Sequence, residues 1–308
     1  MSDGSDQYSQ EFLDEIQEGC HALIDGLDPS YGYVPSLGAG IAFCVLFGIC
    51  LLGHTAQFAR LRRWTSILLA LGAVTELIGW AGRTWSAKCP YNNDAFIMQI
   101  TTLIIAPVFF SAALYVLLGI LILQLGRHTS WLSAKWYAIV FCACDIISLV
   151  IQAIGGGMAS SESDKPNGNT KPGTDIMVGG IVFQLGTMTL FALFFVDFLR
   201  RIRGMSVPRN IKLVLIAMVV SFVMIYIRSV YRTVELLQGW DGYLITHEGY
   251  FIGLDAAIMV VAVAVLLALD PASLIPKLKK GTIDAGDTTD DAEQQREKVV
   301  SSGSESER

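Results

Sequence analysis

Eight ionisable side chains lie inside otherwise apolar stretches of this 308-residue chain: Glu76, Arg83, Asp145, Arg228, Arg232, Glu235, Glu248 and Asp255. Several are four or seven residues apart, a spacing that stacks them on single helix faces. One charge near the centre of a bilayer costs roughly 2.5–3.5 kcal/mol, so eight unpaired ones would forfeit roughly 20 kcal/mol. They must therefore face one another or water, and the chemistry of the chain belongs to a polar interior. Arg228, Arg232 and Glu235 run i, i+4, i+7, while Glu76/Arg83, Asp145/Gln152 and Glu248/Asp255 are each i, i+7 pairs. These spacings predict four helices that present polar faces to a common volume. Glu76 and Asp145 fall near the midplane and the other six in one half of the membrane. Five acids meet three arginines, so some carboxyls lack a cationic partner and are free to bind a cation or carry a proton. The other reading is a set of interhelical salt bridges that only orients a bundle.

The elements that position these groups follow from composition. The chain is 53% hydrophobic and 16% charged, and its apolar runs reach the ~20 helical residues needed to cross a ~30 Å hydrocarbon core. Seven spans are predicted: Ser36–Phe58, Trp64–Trp85, Phe96–Leu123, Lys135–Met158, Ile176–Leu199, Ile211–Leu237 and Gly249–Leu269. The fold class is an all-α integral membrane protein, a seven-helix transmembrane bundle. Three regions follow: an exofacial tail over 1–34, the helical domain over 35–270 and a disordered cytoplasmic tail over 271–308. One set of loops carries Arg60, Arg62, Arg63, Arg127, Arg200, Arg201, Arg203, Arg209, Lys277, Lys279 and Lys280. The other set carries Lys88, Lys165 and Lys171. The positive-inside rule then puts the N-terminus outside and the C-terminus in the cytoplasm. Residues 1–34 hold eight acidic groups without lysine, arginine or an apolar run, so no cleavable signal peptide is expected and the first span directs insertion. The serine- and glycine-containing stretch 159–175 reads as a flexible exofacial linker, and Lys277, Lys279 and Lys280 as a contact with anionic inner-leaflet lipid.

Small residues and prolines mark the packing. Gly72, Gly79, Gly82 and Gly155 to Gly157 permit close helix approach, and the last three could instead loosen the outer end of their helix as a cavity mouth. Pro107 should kink the third span. Cys44, Cys50, Cys142 and Cys144 read as small apolar residues, whereas Cys20 and Cys89 share the predicted exofacial side and invite a disulfide. His54 alone among four histidines is clearly inside a span, a poor basis for a metal site. Sequence signatures for ATP, dinucleotide, zinc-protease and serine-hydrolase chemistry are missing. The net charge of −6 gathers in the tails and leaves no nucleic-acid footprint. Neither an enzyme nor a cofactor is implied.

Several ordered motifs then matter together: Tyr33 to Leu37, His54, Glu76 to Trp80 with Arg83, Ala106 to Phe109 with Ala112, Ala113 and Tyr115, Asp145 to Ser148 with Gln152, Arg228 to Arg232 with Glu235 and Gly239, and Glu248 with Tyr250 and Asp255. Over roughly 31 to 270 the chain resembles the fungal lipid-translocating exporter family of seven-span proteins. The resemblance implies a plasma-membrane protein that moves amphipathic lipids or lipophilic toxins, sphingoid-base-like or aminosterol-like, toward the outer leaflet and so confers resistance. The residues to contact such a substrate are Glu76, Arg83, Asp145, Gln152, Arg228, Arg232, Glu235, Glu248 and Asp255. The main alternative is a seven-helix receptor or membrane stress sensor. The third span ends without an Asp/Glu-Arg-Tyr triplet and the seventh lacks Asn-Pro-x-x-Tyr, which argues against a rhodopsin-like one. A third alternative, an intramembrane amide hydrolase, would need more histidines than one.

Overall fold

The computed structural model describes residues 10–275 apart from 25, 28, 30, 164–167, 240 and 241. Lys165, Lys277, Lys279, Lys280 and the acidic tail lie outside the described residues. A short helix α1 (Gln10–Glu18) precedes seven long ones: α2 (Leu37–Leu61), α3 (Trp64–Ser86), α4 (Asn93–Leu125), α5 (Ala134–Ser163), α6 (Lys171–Ile202), α7 (Arg209–Leu237) and α8 (Glu248–Leu274). All seven are long and apolar enough to cross a membrane. Neighbours in sequence pack in space, and α2 also packs on α8, which closes the ring. Within it α4 is the most enclosed, with 72% of its apolar window buried against 28–50% for the others.

Burial is inverted relative to a water-soluble protein. Ile41, Val45, Ile49 and Leu52 on α2, and Ile139, Ile146, Val150 and Ile154 on α5, are exposed, while Glu76, Arg83, Asp145, Arg228 and Asp255 are buried. Lipid tails accept the first set at no cost, and only the interior offers partners to the second. Exposed Trp64, Trp131 and Trp136 sit near the arginine-bearing end, and Trp85 near the other, where amphipathic rings favour a membrane–water boundary.

Helix ends follow local chemistry. The Ser36 hydroxyl accepts from Ala39 N and caps α2, and Asn92 Oδ1 accepts from Ala95 N at 2.9 Å and caps α4. Arg62 closes α2 in the left-handed region at φ 48°, making a two-residue turn into α3. The expected linker over 159–175 is a correction. Helix α5 runs on to Ser163 and α6 begins at Lys171, because the polar residues there extend helices beyond their apolar part. Gly155 to Gly157 do not loosen α5 either. A Cβ on Gly155 would fall 2.4 Å from Met177 N, so this glycine seats α5 directly on the α6 backbone, whereas Gly157 faces open space.

Before α2 the chain is packed. Ile16, Leu27 and Tyr91 form a small apolar cluster with Phe12 and Ile24, and a disulfide joins Cys20 to Cys89. The Tyr91 hydroxyl donates to Leu27 O at 2.9 Å, and Asn92 Nδ2 to Gly19 O at 3.2 Å.

Candidate functional site

Two charged groups and two lone acids occupy the interior. The first group lies where α3, α4 and α8 meet the segment preceding α2. Arg83 Nη2 donates to Glu248 Oε1 at 2.9 Å and to the Tyr33 hydroxyl at 2.7 Å. Its guanidinium also stands over the Phe251 ring, 4.5 Å from the centroid. Ser36 N donates to the same Glu248 oxygen at 2.8 Å, and the Tyr31 hydroxyl to Gln99 Oε1 at 2.6 Å. Burial pushes the Tyr31 phenol up to about 12 and raises Tyr33 as well, so both remain neutral donors and acceptors around the arginine.

The second group joins α7 to α8. Arg228 Nε lies 3.0 Å from Asp255 Oδ1, and Arg232 Nε lies 3.9 Å from it. Arg232 Nη1 pairs with Glu235 Oε2 at 2.5 Å, while the Tyr231 hydroxyl donates to Glu235 Oε1 at 2.9 Å. The position of Asp255 depends on a local irregularity: residues Ile252–Ala257 form a π-helical turn. Such a turn carries extra residues per revolution and rotates the face that follows. Arg228 depends on another. Pro107 has no N–H, which orphans the Leu103 carbonyl one turn earlier in α4, and Arg228 Nη2 donates to that oxygen at 2.6 Å.

A helix end supplies a second free carbonyl. The main helical run of α8 ends at Ala268, which leaves the Leu267 carbonyl without a donor from its own helix, and Gln57 Nε2 donates to it at 3.0 Å. Gln57 Oε1 in turn lies 2.9 Å from His54 Nδ1, and His54 Nε2 faces Val263 O at 3.4 Å. His54 therefore ties α2 to α8.

Glu76 and Asp145 stand outside these pairings. Both are 1% exposed, and among the described residues no ion pair reaches either. Neither Glu76 oxygen makes a well-formed hydrogen bond; the nearest donor is the buried Trp80 indole Nε1, one turn further along α3, which lies beside the carboxyl. The charges that act most on Glu76 are Arg228 and Asp255. Asp145 lies beside the Tyr115 hydroxyl of α4. Gln152 does not pair with Asp145. It donates to Ser148 Oγ at 2.6 Å and to Gln184 Oε1 at 3.0 Å.

The i, i+7 pairs therefore share faces without touching, which corrects the single polar volume. Seven residues climb about 10 Å along a helix, beyond the reach of one carboxyl. Arg83 thus turns to Glu248 and Asp255 to the α7 arginines. Asp145 sits on the α4–α5 seam, and no direct α3–α5 packing of comparable extent brings it to Glu76. Sequence reasoning missed Tyr31, Gln99 and Gln184; the signal was a glutamine in an apolar run for the last two.

The family model described as "RTA1 like protein" matches residues 69–278. The chain belongs to the RTA1-like family. Similar proteins include the sphingoid long-chain base transporter RSB1 of Saccharomyces cerevisiae, 34% identical over 278 residues, 78% of this chain and 72% of the relative. Protein RTA1 of the same yeast is 28% identical, covering 83% of this chain and 89% of its own length. Protoporphyrin uptake protein 1, also from that yeast, is 29% identical over 62% of this chain and 64% of its own. None of these names describes an enzyme. No solved structure matches. Every buried charge of the two groups lies inside the RTA1-like match, whereas Tyr31, Tyr33 and the α1 segment precede it. The RTA1-like bundle is an integral, multi-pass membrane protein.

Proposed function

We propose that this RTA1-like protein moves a sphingoid-base-like amphipathic amine toward the outer leaflet of the plasma membrane, with the N-terminus outside and the arginine-rich turns inside. One observation carries the reading: Arg83, Arg228 and Arg232 are engaged by Glu248, Asp255 and Glu235, and Glu76 and Asp145 are buried with no ion pair among the described residues. A buried carboxyl left alone holds its proton or takes a cationic ligand. A long-chain amine supplies that cation while its tail stays in lipid. The yeast relative whose name specifies a sphingoid base supports the same substrate class. A carboxylate-bearing porphyrin, the cargo named for another relative, would instead add acids to an interior that already holds an excess.

In this reading Glu76 and Asp145 bind the amine or carry the exchanging proton, and the arginines hold the remaining acids in place. Reconstitution in liposomes tests it, with leaflet exchange of a labelled long-chain base as the readout. Wild type accelerates exchange, while Glu76→Gln and Asp145→Asn, which delete charge at constant shape, reach the membrane at normal abundance and lose most of it. Full exchange by both variants would leave the acids a structural role and favour a sensor.

A further inference from the structure

Glu76 has a neighbour that the ion pairs do not show. Helices α3 and α8 run in opposite directions and face each other across the interior, and their side chains meet in register. At the outer end Arg83 Nη2 donates to Glu248 Oε1 at 2.9 Å. One turn deeper the Trp80 and Phe251 rings stand 5.8 Å apart, centroid to centroid. That step is three residues on each helix, down in number on α3 and up on α8. Four more residues on each, a further turn into the membrane, reach Glu76 and Asp255. The π-turn over Ile252–Ala257 makes four residues slightly less than a full revolution, so Asp255 stays on the face of Phe251. The third rung of this ladder is therefore two carboxyls, both 1% exposed.

The surroundings of that rung favour one shared proton. Phe43 on α2 lies against Trp80 at 4.4 Å, and Phe47, one turn further in and fully buried, brings a second ring to the depth of the acids. The titratable groups of α2 lie off the rung: Cys44 faces Thr84 further out, while Cys50 and His54 lie further in, His54 against Val263 O. From α7, Arg228 and Arg232 approach Asp255 at 3.0 Å and 3.9 Å, and Glu235 holds Arg232. Helix α4 gives its Leu103 carbonyl to Arg228, and its Tyr115 turns to Asp145. Along α3 and α8 themselves the nearest charges, Arg83 and Glu248, are two rungs out and already paired. Arg228 and Arg232 balance Asp255 and Glu235, so an ionised Glu76 is one negative charge too many. Two carboxyls held together in a low dielectric do not both ionise unless a cation joins them. A proton needs no cavity, which suits a rung walled by the completely buried Trp80 and Phe47. No oxygen of Glu76 or Asp255 makes a well-formed hydrogen bond, so the pair has one to gain by sharing it.

We propose that Glu76 and Asp255 form a carboxyl pair that exchanges one proton for one ammonium, which makes outward amine transport an exchange against inward proton flow. The inference rests on the amine-transport reading for its second cation, and it adds the energy source. The empty pair holds the proton. As the ammonium enters, the carboxyl O–H bond breaks, the proton passes to water and the net charge of the pair stays the same. The network of Arg228, Arg232, Glu235, Asp255 and Glu76 is thus balanced in both states. Because one surplus negative charge accepts one cation at a time, the amine leaves on the outer side only as a proton replaces it.

The probe is N,N,N-trimethylsphingosine, a long-chain base whose permanent charge prevents it from crossing a bilayer as a neutral amine. Its binding to the purified full-length protein in weakly buffered detergent should release about one proton per base. The infrared carbonyl band of a protonated carboxyl should be lost at the same time. In Glu76→Gln both signals should vanish. Asp255→Glu keeps the charge but moves the neighbouring carboxyl, so it should shift the band, and it places the proton even if Glu76→Gln does not fold. In liposomes with a trapped pH dye and a clamped membrane potential, base added outside should raise the interior pH, as each base carried in sends a proton out. Binding without proton release overturns the proposal, and so does a band that neither variant changes. Exchange of the base between leaflets at constant interior pH overturns it as well. Proton release without leaflet exchange defeats the transport reading and leaves the carboxyl pair standing. Absence of binding also defeats that reading, and the band of the unliganded protein in the two variants then decides the pair.

Discussion

Each interior charge is set by what its side chain can reach. Asp255 serves two arginines, so Asp255→Asn leaves Arg228 and Arg232 short of one negative charge in a low-dielectric setting. Breaking a buried pair from one side typically costs about 3–5 kcal/mol. We expect Asp255→Asn to lower the unfolding midpoint in detergent sharply, whereas Asp197→Asn, whose pair with Arg201 is more than a third exposed on both sides, shifts it little. Equal shifts would show that the α7–α8 network contributes nothing special. Arg83 poses a geometric question instead. Its fork reaches Tyr33 and Glu248 from one nitrogen and Gln99 from the other, a pattern that a lysine's single ammonium cannot reproduce. Arg83→Lys should therefore keep the fold and increase protease access to the segment holding Tyr31 and Tyr33, read by limited proteolysis.

Helices carry their own defects, and these place the site. Pro107 orphans the Leu103 carbonyl inside α4 and the helix end at Ala268 leaves the Leu267 carbonyl free, and Arg228 and Gln57 each answer from a different helix. Restoring the backbone donor with Pro107→Ala returns Leu103 O to its own helix and deprives Arg228 of that acceptor. The expected outcome is a protein that accumulates normally yet exchanges labelled base several-fold more slowly; unchanged exchange would make the Arg228–Leu103 contact mere packing. Glycines divide by what a methyl would meet. Gly155→Ala drives a Cβ to 2.4 Å from backbone on α6, while Gly157→Ala meets nothing within 4 Å. Overpacking of this kind costs roughly 1–3 kcal/mol, so thermal unfolding in detergent should separate the two substitutions clearly. A matched pair of midpoints would contradict the close α5–α6 approach.

At the scale of the whole molecule, the segment before α2 is bound to the α3–α4 turn by the Cys20–Cys89 disulfide, 69 residues apart. In a free chain a loop of that length would give about 4 kcal/mol. Here α2 and α3 lie between the two cysteines and remain inserted when the bundle loosens, so the chain is already tethered and the gain is smaller. The double variant Cys20→Ser with Cys89→Ser should thus unfold at nearly the wild-type midpoint while protease cuts residues 10–36 much faster. A large drop in midpoint would make the bridge a main support of the bundle. Orientation belongs to the same scale. An epitope at residue 5 should be cleaved by protease added to intact cells, as the arginine bias of alternate turns requires.

The sequence alone determined the number of spans, the class of fold and the burial of six of the eight charges, Arg232 and Glu248 being half-buried. Those follow from one strong local rule: hydrocarbon accepts long apolar helices and rejects unpaired charge. The excess of acids over arginines was also legible, because counting needs no geometry. Only the tertiary structure decided which residues pair. A shared helix face fixes direction and leaves distance open, so Glu76 and Arg83 could look like partners while Arg83 found Glu248 on a helix 165 residues away. The π-turn that sets Asp255, the Leu103 carbonyl that receives Arg228 and the meeting of Gln152 with Gln184 arise from packing between helices. No periodicity within one helix encodes them, because each is a contact with a neighbour whose rotation and depth are fixed only when the ring of seven closes.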